Sequence, residues 1–324
     1  MKYEEIRMEN IMLSIYVATY NHERYIRQAL DSIFAQQTNY FFEVIVGDDC
    51  STDNTRMILE EYEREHPQYV DNGCLRVIYR DHNMYNETPN NFFDLVCKCK
   101  GKYVIALEGD DYWINKNKLQ FQIDFLENNP QYVAVAHDCI VVDEDSKIRD
   151  EKYPGCNDEE YTLKHFMSNK FPGQTTTVMY RNIYNSNQID ISVFNKGLMP
   201  GDMLRNFVLL TVGKIRCFPD KMSAYRHITS SGDSWSAKYH YNFQTEYDLC
   251  IELVRYSNNI GNKQLILASE SLLMRCLAKG LKHKLITVKE LFLYLRSIRH
   301  HLYVFRKWIQ YKLYKDILKK EFWY

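Results

Sequence analysis

Residues 102–113 read KYVIALEGDDYW, an apolar run that ends in three carboxylates within four positions. The run Tyr103–Leu107 has the length and composition of a buried strand. Glu108, Asp110 and Asp111 then stand where that strand leaves the core, and neighbouring carboxylates repel one another. One reading is a solvated turn, or the cap of the next helix. The other is a site for a divalent cation, because Mg²⁺ and Mn²⁺ take carboxylate oxygens and leave positions for substrate phosphates.

The same pattern recurs on both sides of this stretch. MLSIYVA, closed by TYN, is a short apolar strand, and it precedes ERYIRQALDSIFAQQ, where Tyr25, Ile26, Ala29, Leu30, Ile33 and Phe34 recur at helical spacing. FEVIVGDD reads as a second strand running into STDNT, whose Ser51, Thr52 and Asp53 are candidate caps for the helix RMILEEYEREH. LRVIY and NFFDLVCKC follow as strand and helix, then KYVIALEG, the helix KLQFQIDFLENN, and the strand YVAVAHDCIVV. Alternating strands and helices predict an α/β domain around a largely parallel sheet. Ligands of such sheets bind beyond the carboxyl ends of the strands. Those ends here carry TYN, GDDCSTD and EGDD, three polar clusters that parallel strands bring to one edge.

Past about Asp143 the pattern loosens. FPGQTTTVMYR is Thr-rich and strand-like, LMPGDMLRNFVLLTVG opens on Pro200-Gly201-Asp202 and continues as an apolar helix, and KIRCFPDKMSAYRH reads as strands or a hairpin. From Lys238 onward helices dominate, and their Leu, Phe and Tyr stripes read as packing surfaces.

Composition bounds the class. The 324 residues are 45% hydrophobic and 26% charged, as in soluble globular proteins. A net charge of −1 hides an asymmetry: residues 281–324 carry eleven Lys/Arg against three Asp/Glu, which leaves −9 on the rest. No apolar stretch approaches the ~20 residues of a membrane span. The N-terminus MKYEEIRMEN carries acids where a signal peptide is apolar, so the expected compartment is the cytoplasm. The nine cysteines are scattered without zinc spacing and are expected to be reduced thiols. No nucleic-acid-binding module is present, and the acidic body disfavours that partner.

ATYNHERYIRQALDSIFAQ, EVIVGDDCSTDNT and GKYVIALEGDDYW followed by KLQFQ resemble the nucleotide-binding half of the inverting family 2 glycosyltransferases with the GT-A fold. The likeness is specific over roughly the first 140 residues and runs more loosely through GDM and YRHITSSGDSW. It implies a Rossmann-like transferase domain over 1–236, with a donor half 1–143 and an acceptor half 144–236, and a basic helical C-terminal extension over 237–324. It also implies a nucleotide-sugar donor. Thr19, Tyr20 and Asn21 would lie against the base, with the Tyr20 ring stacking on it. Asp48 or Asp49, with Asp49 favoured, would accept the N3–H of uracil or thymine, which points to a UDP- or dTDP-sugar. EGDD stands where the family has its metal-binding DxD motif. Asp110 and Asp111 would then share the ribose and metal roles toward Mn²⁺ or Mg²⁺, with Glu108 in support.

The resemblance implies a catalytic base in a GD or ED motif at a helix start, which Gly201-Asp202 matches. The alternative reading of Asp202 is a simple N-cap, and His137-Asp138 is the competing base. Tyr225-Arg226-His227 before TSSGDSW resembles the family's mobile segment, so Arg226 or His227 would meet the diphosphate or metal. The basic, aromatic tail, with Trp308, Tyr311, Tyr314, Phe322, Trp323 and Tyr324, suits peripheral contact with anionic lipid, as a transferase acting on a glycan or lipid-linked glycan acceptor would use. A solvated basic helix face explains the tail equally well. Two other functions compete: a sugar nucleotidyltransferase, which lacks its Gly-rich phosphate loop here, and a non-catalytic carbohydrate- or membrane-binding module on a transferase scaffold.

Overall fold

The computed structural model describes residues 11–85, 87–168, 170–185, 189–196, 198, 201–228 and 242–295. The TSSGDSW segment and the tail from residue 296, with its Trp and Tyr residues, lie outside them. The chain divides into two compact units: Met1–Tyr161, Phe171–Gly197 and Val212–Lys238 form the first, and Thr162–Lys170, Leu198–Thr211 and Tyr239–Tyr324 the second. The helical unit thus draws in two segments from before residue 236 as well as the C-terminal helices.

The first unit is built on strands β1 (Leu13–Thr19), β2 (Phe42–Asp48), β3 (Leu75–Tyr79), β4 (Tyr103–Glu108), β5 (Tyr112–Trp113), β6 (Tyr132–Val142), β7 (Glu160–Tyr161), β8 (Met179–Arg181) and β9 (Lys214–Arg226). Helices α1 (Ile26–Phe34), α2 (Thr55–Glu65), α3 (Pro67–Asp71), α4 (Asn91–Cys97) and α5 (Lys118–Asn128) connect the early strands. One sheet runs β3-β2-β1-β4-β8-β6-β9-β5, with β7 on β9. β3, β2, β1 and β4 are parallel, and β6 pairs parallel with β9, while β8 is antiparallel to both neighbours. The apolar faces explain this assembly: Leu13, Ile15, Val17, Val44, Val46, Tyr103, Ile105 and Leu107 are buried against Ile26, Leu30 and Ile33 of α1 and Leu119, Ile123 and Leu126 of α5. At ~25 cal/mol per Å² of apolar area, burying each such side chain contributes roughly 1.5–3 kcal/mol.

Two sequence expectations change form. KIRCFPDKMSAYR is one strand, not a hairpin: Pro219 and Asp220 fall where β9 slips register against β6, between the Phe218–His137 and Lys221–Asp138 pairs. A strand tolerates proline at such a bulge because no ladder donor is needed there. Only Met179–Arg181 of FPGQTTTVMYR is strand, and Thr175–Thr177 is a 3-10 turn.

The second unit contains α6 (Leu163–Met167), α7 (Gly201–Val212), α8 (Phe243–Ile260), α9 (Lys263–Lys282) and α10 (Val288–Leu295). Gly261 ends α8 in the left-handed conformation, at φ 74°, where a side chain would be strained. Asn262 then starts α9 by accepting from Gln264 N and Leu265 N. No helix among the described residues is long and apolar enough to cross a membrane. All nine cysteines are free thiols.

Candidate active site at the strand ends

The register fixes which strand ends are neighbours. Thr19 of β1 pairs with Asp48 of β2, and Ala18 with Glu108 of β4, so TYN, GDD and EGDD sit side by side on adjacent parallel strands about 4.8 Å apart. Gly109 permits this closeness: a Cβ there would lie 2.7 Å from Thr19 Oγ1 and 2.8 Å from His22 Nδ1.

Three loops are laced together across this edge. Asn21, in the left-handed region at φ 55°, donates its backbone N–H to Ser51 Oγ (3.0 Å), and its Oδ1 accepts from Thr52 N (2.8 Å). Ser51 in turn donates to Asp48 Oδ1. Asp49 N donates to Thr19 O (2.9 Å), and Asp49 Oδ1 accepts from Met84 N (2.8 Å). Thr19 is buried, whereas the Tyr20 ring is 38% exposed and accessible to a stacking partner. Asp48 is 0% exposed and its Oδ2 has no hydrogen-bond partner. Burial raises the carboxyls of both Asp48 and Asp49 above the usual range, with the Ser51 and Met84 hydrogen bonds opposing the shift.

Beside them, Glu108, Asp110 and Asp111 each offer an oxygen within 4.8 Å of the others. Asp111 is fully enclosed. Its Oδ1 accepts from Arg226 N (2.7 Å) and its Oδ2 from Gln174 Nε2 (2.9 Å). Burial, then the charges of Asp110 and Glu108, push its carboxyl well above the carboxylate range. Asp110 is partly exposed, with His22 Nε2 at 3.9 Å. Beneath them Trp113 donates from Nε1 to Thr176 O (3.2 Å), and the buried Lys118 Nζ lies 4.4 Å from the Trp113 ring centre and donates to Gln122 Oε1 (2.6 Å). These hard oxygen donors, one of them buried without a cationic side chain on its carboxylate, fit a divalent cation.

Comparison with known proteins agrees with this geometry. The model of Glycosyl transferase family 2 matches residues 14–186, more than half the chain. The chain belongs to glycosyl transferase family 2. An uncharacterized protein of Mycobacterium tuberculosis is 33% identical over 215 residues, 66% of this chain and 58% of that one. The chain therefore spans little more than half the length of that relative. The poly(ribitol-phosphate) beta-N-acetylglucosaminyltransferase TarS of Staphylococcus aureus is 34% identical over 118 residues, 36% of this chain and 19% of that one. The crystal structure of S. aureus TarS 1-349 in complex with UDP-GlcNAc aligns with a TM-score of 0.57 at 18% identity, over 91% of this chain and 81% of that chain. The fold is thus GT-A, a mixed α/β sheet with helices at the C-terminus.

The remaining residues named from the family 2 resemblance are placed as follows. Asp202 lies in the first turn of α7, in the second unit; it is half-buried, and its Oδ1 accepts from Met203 N (2.8 Å). Burial raises its carboxyl, with Arg205 acting in the opposite direction. The hydrogen bond to Met203 joins neighbours inside the first turn, because α7 begins at Gly201 and Asp202 is already a helical residue.

His137 is buried, with Nδ1 2.7 Å from Asp138 O, and burial holds it well below the usual imidazole range. Asp138 Oδ1 accepts from Cys139 N. His227 Nδ1 lies 2.7 Å from Glu151 Oε2 at the end of β9.

Arg226 departs from the expected diphosphate contact. It is 2% exposed, and its five N–H groups donate to Asp110 O, Asp143 O, Glu144 O, Gln28 Oε1 and Ser146 Oγ. Its guanidinium also lies over the Tyr25 and Tyr112 rings. Here it is a strut that holds the EGDD turn to the ends of β6 and α1.

Gln174, His22 and Met84 reach the site without having been assigned from the sequence. His22 follows Asn21 directly, in the same loop. Gln174 carried one signal, a large polar side chain in an otherwise small and apolar run.

Proposed function

We propose that this chain transfers a sugar from a UDP- or dTDP-sugar to a hydroxyl of a glycan or lipid-linked glycan, with inversion at the anomeric carbon. The observation that carries the reading is the single edge on which Asp48 and Asp49 stand beside Glu108, Asp110 and Asp111, three of these five carboxyls raised by burial. TarS has been crystallised with UDP-GlcNAc, which supports a nucleotide-sugar donor here.

In this reading the base lies beyond β1 and β2. Tyr20 stacks on it, Thr19 and Asn21 hold the loop, and the Asp49 oxygen not held by Met84 accepts its N3–H. Asp110 and Asp111, supported by Glu108, would hold Mn²⁺ or Mg²⁺, which supplies Lewis-acid stabilisation of negative charge on the diphosphate. The acceptor oxygen attacks the anomeric carbon, its proton passes to Asp202, and the bond to the diphosphate breaks. The raised Asp202 carboxyl suits that proton acceptance. His227, held through Nδ1 by Glu151, remains a candidate for the diphosphate, whereas Arg226 serves it only indirectly. Residues 1–236 would carry the transfer, and the basic tail within 237–324 would hold the enzyme against anionic lipid on the cytoplasmic face.

Turnover of radiolabelled UDP- and dTDP-sugars by Asp202→Asn tests the assignment. Transfer is expected to fall by ~10²- to 10⁴-fold with donor binding retained. Near-normal turnover would remove Asp202 from the reaction.

A further inference from the structure

Gln174 heads the 3-10 turn Thr175–Thr177 and is 3% exposed. Its Oε1 accepts from Thr176 N (2.7 Å) and from Thr176 Oγ1 (2.6 Å), so a flipped amide would set its NH₂ against the Thr176 N–H and its oxygen against two carboxylates. The amide therefore has one orientation. Its NH₂ donates to Asp111 Oδ2 (2.9 Å) and to Glu108 Oε2 (3.2 Å). One neutral side chain bridges two carboxylates that otherwise repel each other. On the far side Asp111 Oδ1 takes the Arg226 backbone N–H, while all five side-chain N–H groups of Arg226 go elsewhere. Glu108 and Asp111 are thus linked through a neutral amide.

We propose that Gln174 is a positioning residue for the acidic site: its amide fixes the spacing and orientation of Glu108 and Asp111, so that an arriving divalent cation meets Glu108, Asp110 and Asp111 already assembled. The inference rests on the metal-dependent reading of the EGDD motif. Gln174 touches neither cation nor substrate and acts through the carboxylates. Its two ends separate two roles, because Oε1 caps the 3-10 turn and Nε2 holds the acids. A group that orients ligands in this way typically accounts for 10–100-fold in metal affinity or activity.

Two variants separate positioning from capping. Gln174→Met removes both ends, and Gln174→Glu keeps the chain length and the acceptor toward Thr176 but replaces the donor with a further acid. Free Mn²⁺ is followed by electron paramagnetic resonance with UDP present, and melting temperature is followed with and without Mn²⁺. Gln174→Met is expected to bind Mn²⁺ 10–100-fold more weakly, with much of its transfer rate recovered at raised Mn²⁺. Gln174→Glu is expected to melt several degrees lower without metal and to regain that loss when Mn²⁺ is added.

Wild-type Mn²⁺ affinity in a folded Gln174→Met would overturn the proposal. So would a wild-type melting temperature for metal-free Gln174→Glu, which decides the matter alone if Gln174→Met does not fold. Absence of Mn²⁺ binding by the wild-type protein removes the metal reading itself, and with it this role, and is seen in the wild-type arm without either variant.

Discussion

The parallel strands β1, β2 and β4 bury carboxylates at both ends, and the two ends treat them differently. At the amino end Glu43, 7% exposed, accepts from Ser14 Oγ (2.5 Å) and Lys100 N (2.8 Å), and Ser14 Oγ itself accepts from Gly101 N (2.7 Å). That circuit is closed, and it ties β1, β2 and the approach to β4 together. At the carboxyl end Asp48 keeps a buried oxygen with no partner, and Asp111 is enclosed beside two other acids. Burial raises Asp48, Asp49 and Asp111 there, whereas surface acids such as Glu65, Glu127 and Glu160 are lowered by their Arg, Lys or Tyr partners. Glu43 is matched within the fold by two donors, whereas Asp48 carries a buried oxygen that the fold leaves unmatched.

The comparison breaks most visibly at Glu43. Glu43→Ala strands the Ser14 hydroxyl and the Lys100 N–H, and the expected loss is about 1–3 kcal/mol of stability, read as a lower midpoint in urea. Its kcat for transfer should stay within about twofold of wild type, measured where the variant is folded. A large fall in kcat with unchanged stability would mean that the amino end is part of the site.

A smaller effect sharpens the other end. The folded-state value of Asp48 lies above the ~3.9 of an unfolded aspartate, so between those two values the folded protein binds more protons than the unfolded chain. Stability contributed by this group is therefore lost as pH rises through that window, at no more than ~1.4 kcal/mol per pH unit. Urea midpoints of the metal-free wild type and Asp48→Asn, compared from pH 4 upward, isolate the term. The variant should gain on the wild type as pH increases. A constant difference would show that Asp48 is already matched.

Much of this was legible in the chain. The alternation of period-2 and helical patterns gives β1 to β4 and the helices between them, and polar residues closing apolar strands give Asp48, Asp49, Asp110 and Asp111 with little help from tertiary structure. What escaped depends on partners far away in sequence. Arg226 reads as a cation ahead of a loop, yet its contacts reach Asp110 and Gln28, 116 and 198 positions distant. Gln174 sits in a Thr-rich run that local propensity assigns to a strand, and its amide meets Asp111 from 63 positions away. β9 passes Pro219 unbroken because the bulge against β6 removes the need for its N–H. Local pattern specifies where the acids emerge; which neutral groups hold them is decided by the packing of segments that carry no local signature.

The measurement that bears most directly on the central claim is calorimetric titration of UDP, dTDP and GDP into the wild-type protein and Asp110→Ala, each with and without Mn²⁺. The account predicts that UDP or dTDP binds, that Mn²⁺ tightens it by tenfold or more, and that Asp110→Ala removes the Mn²⁺ effect while its melting temperature stays close to wild type. Binding that ignores both Mn²⁺ and the substitution, or no nucleotide binding at all, would contradict it and leave the acids of the EGDD turn without a ligand.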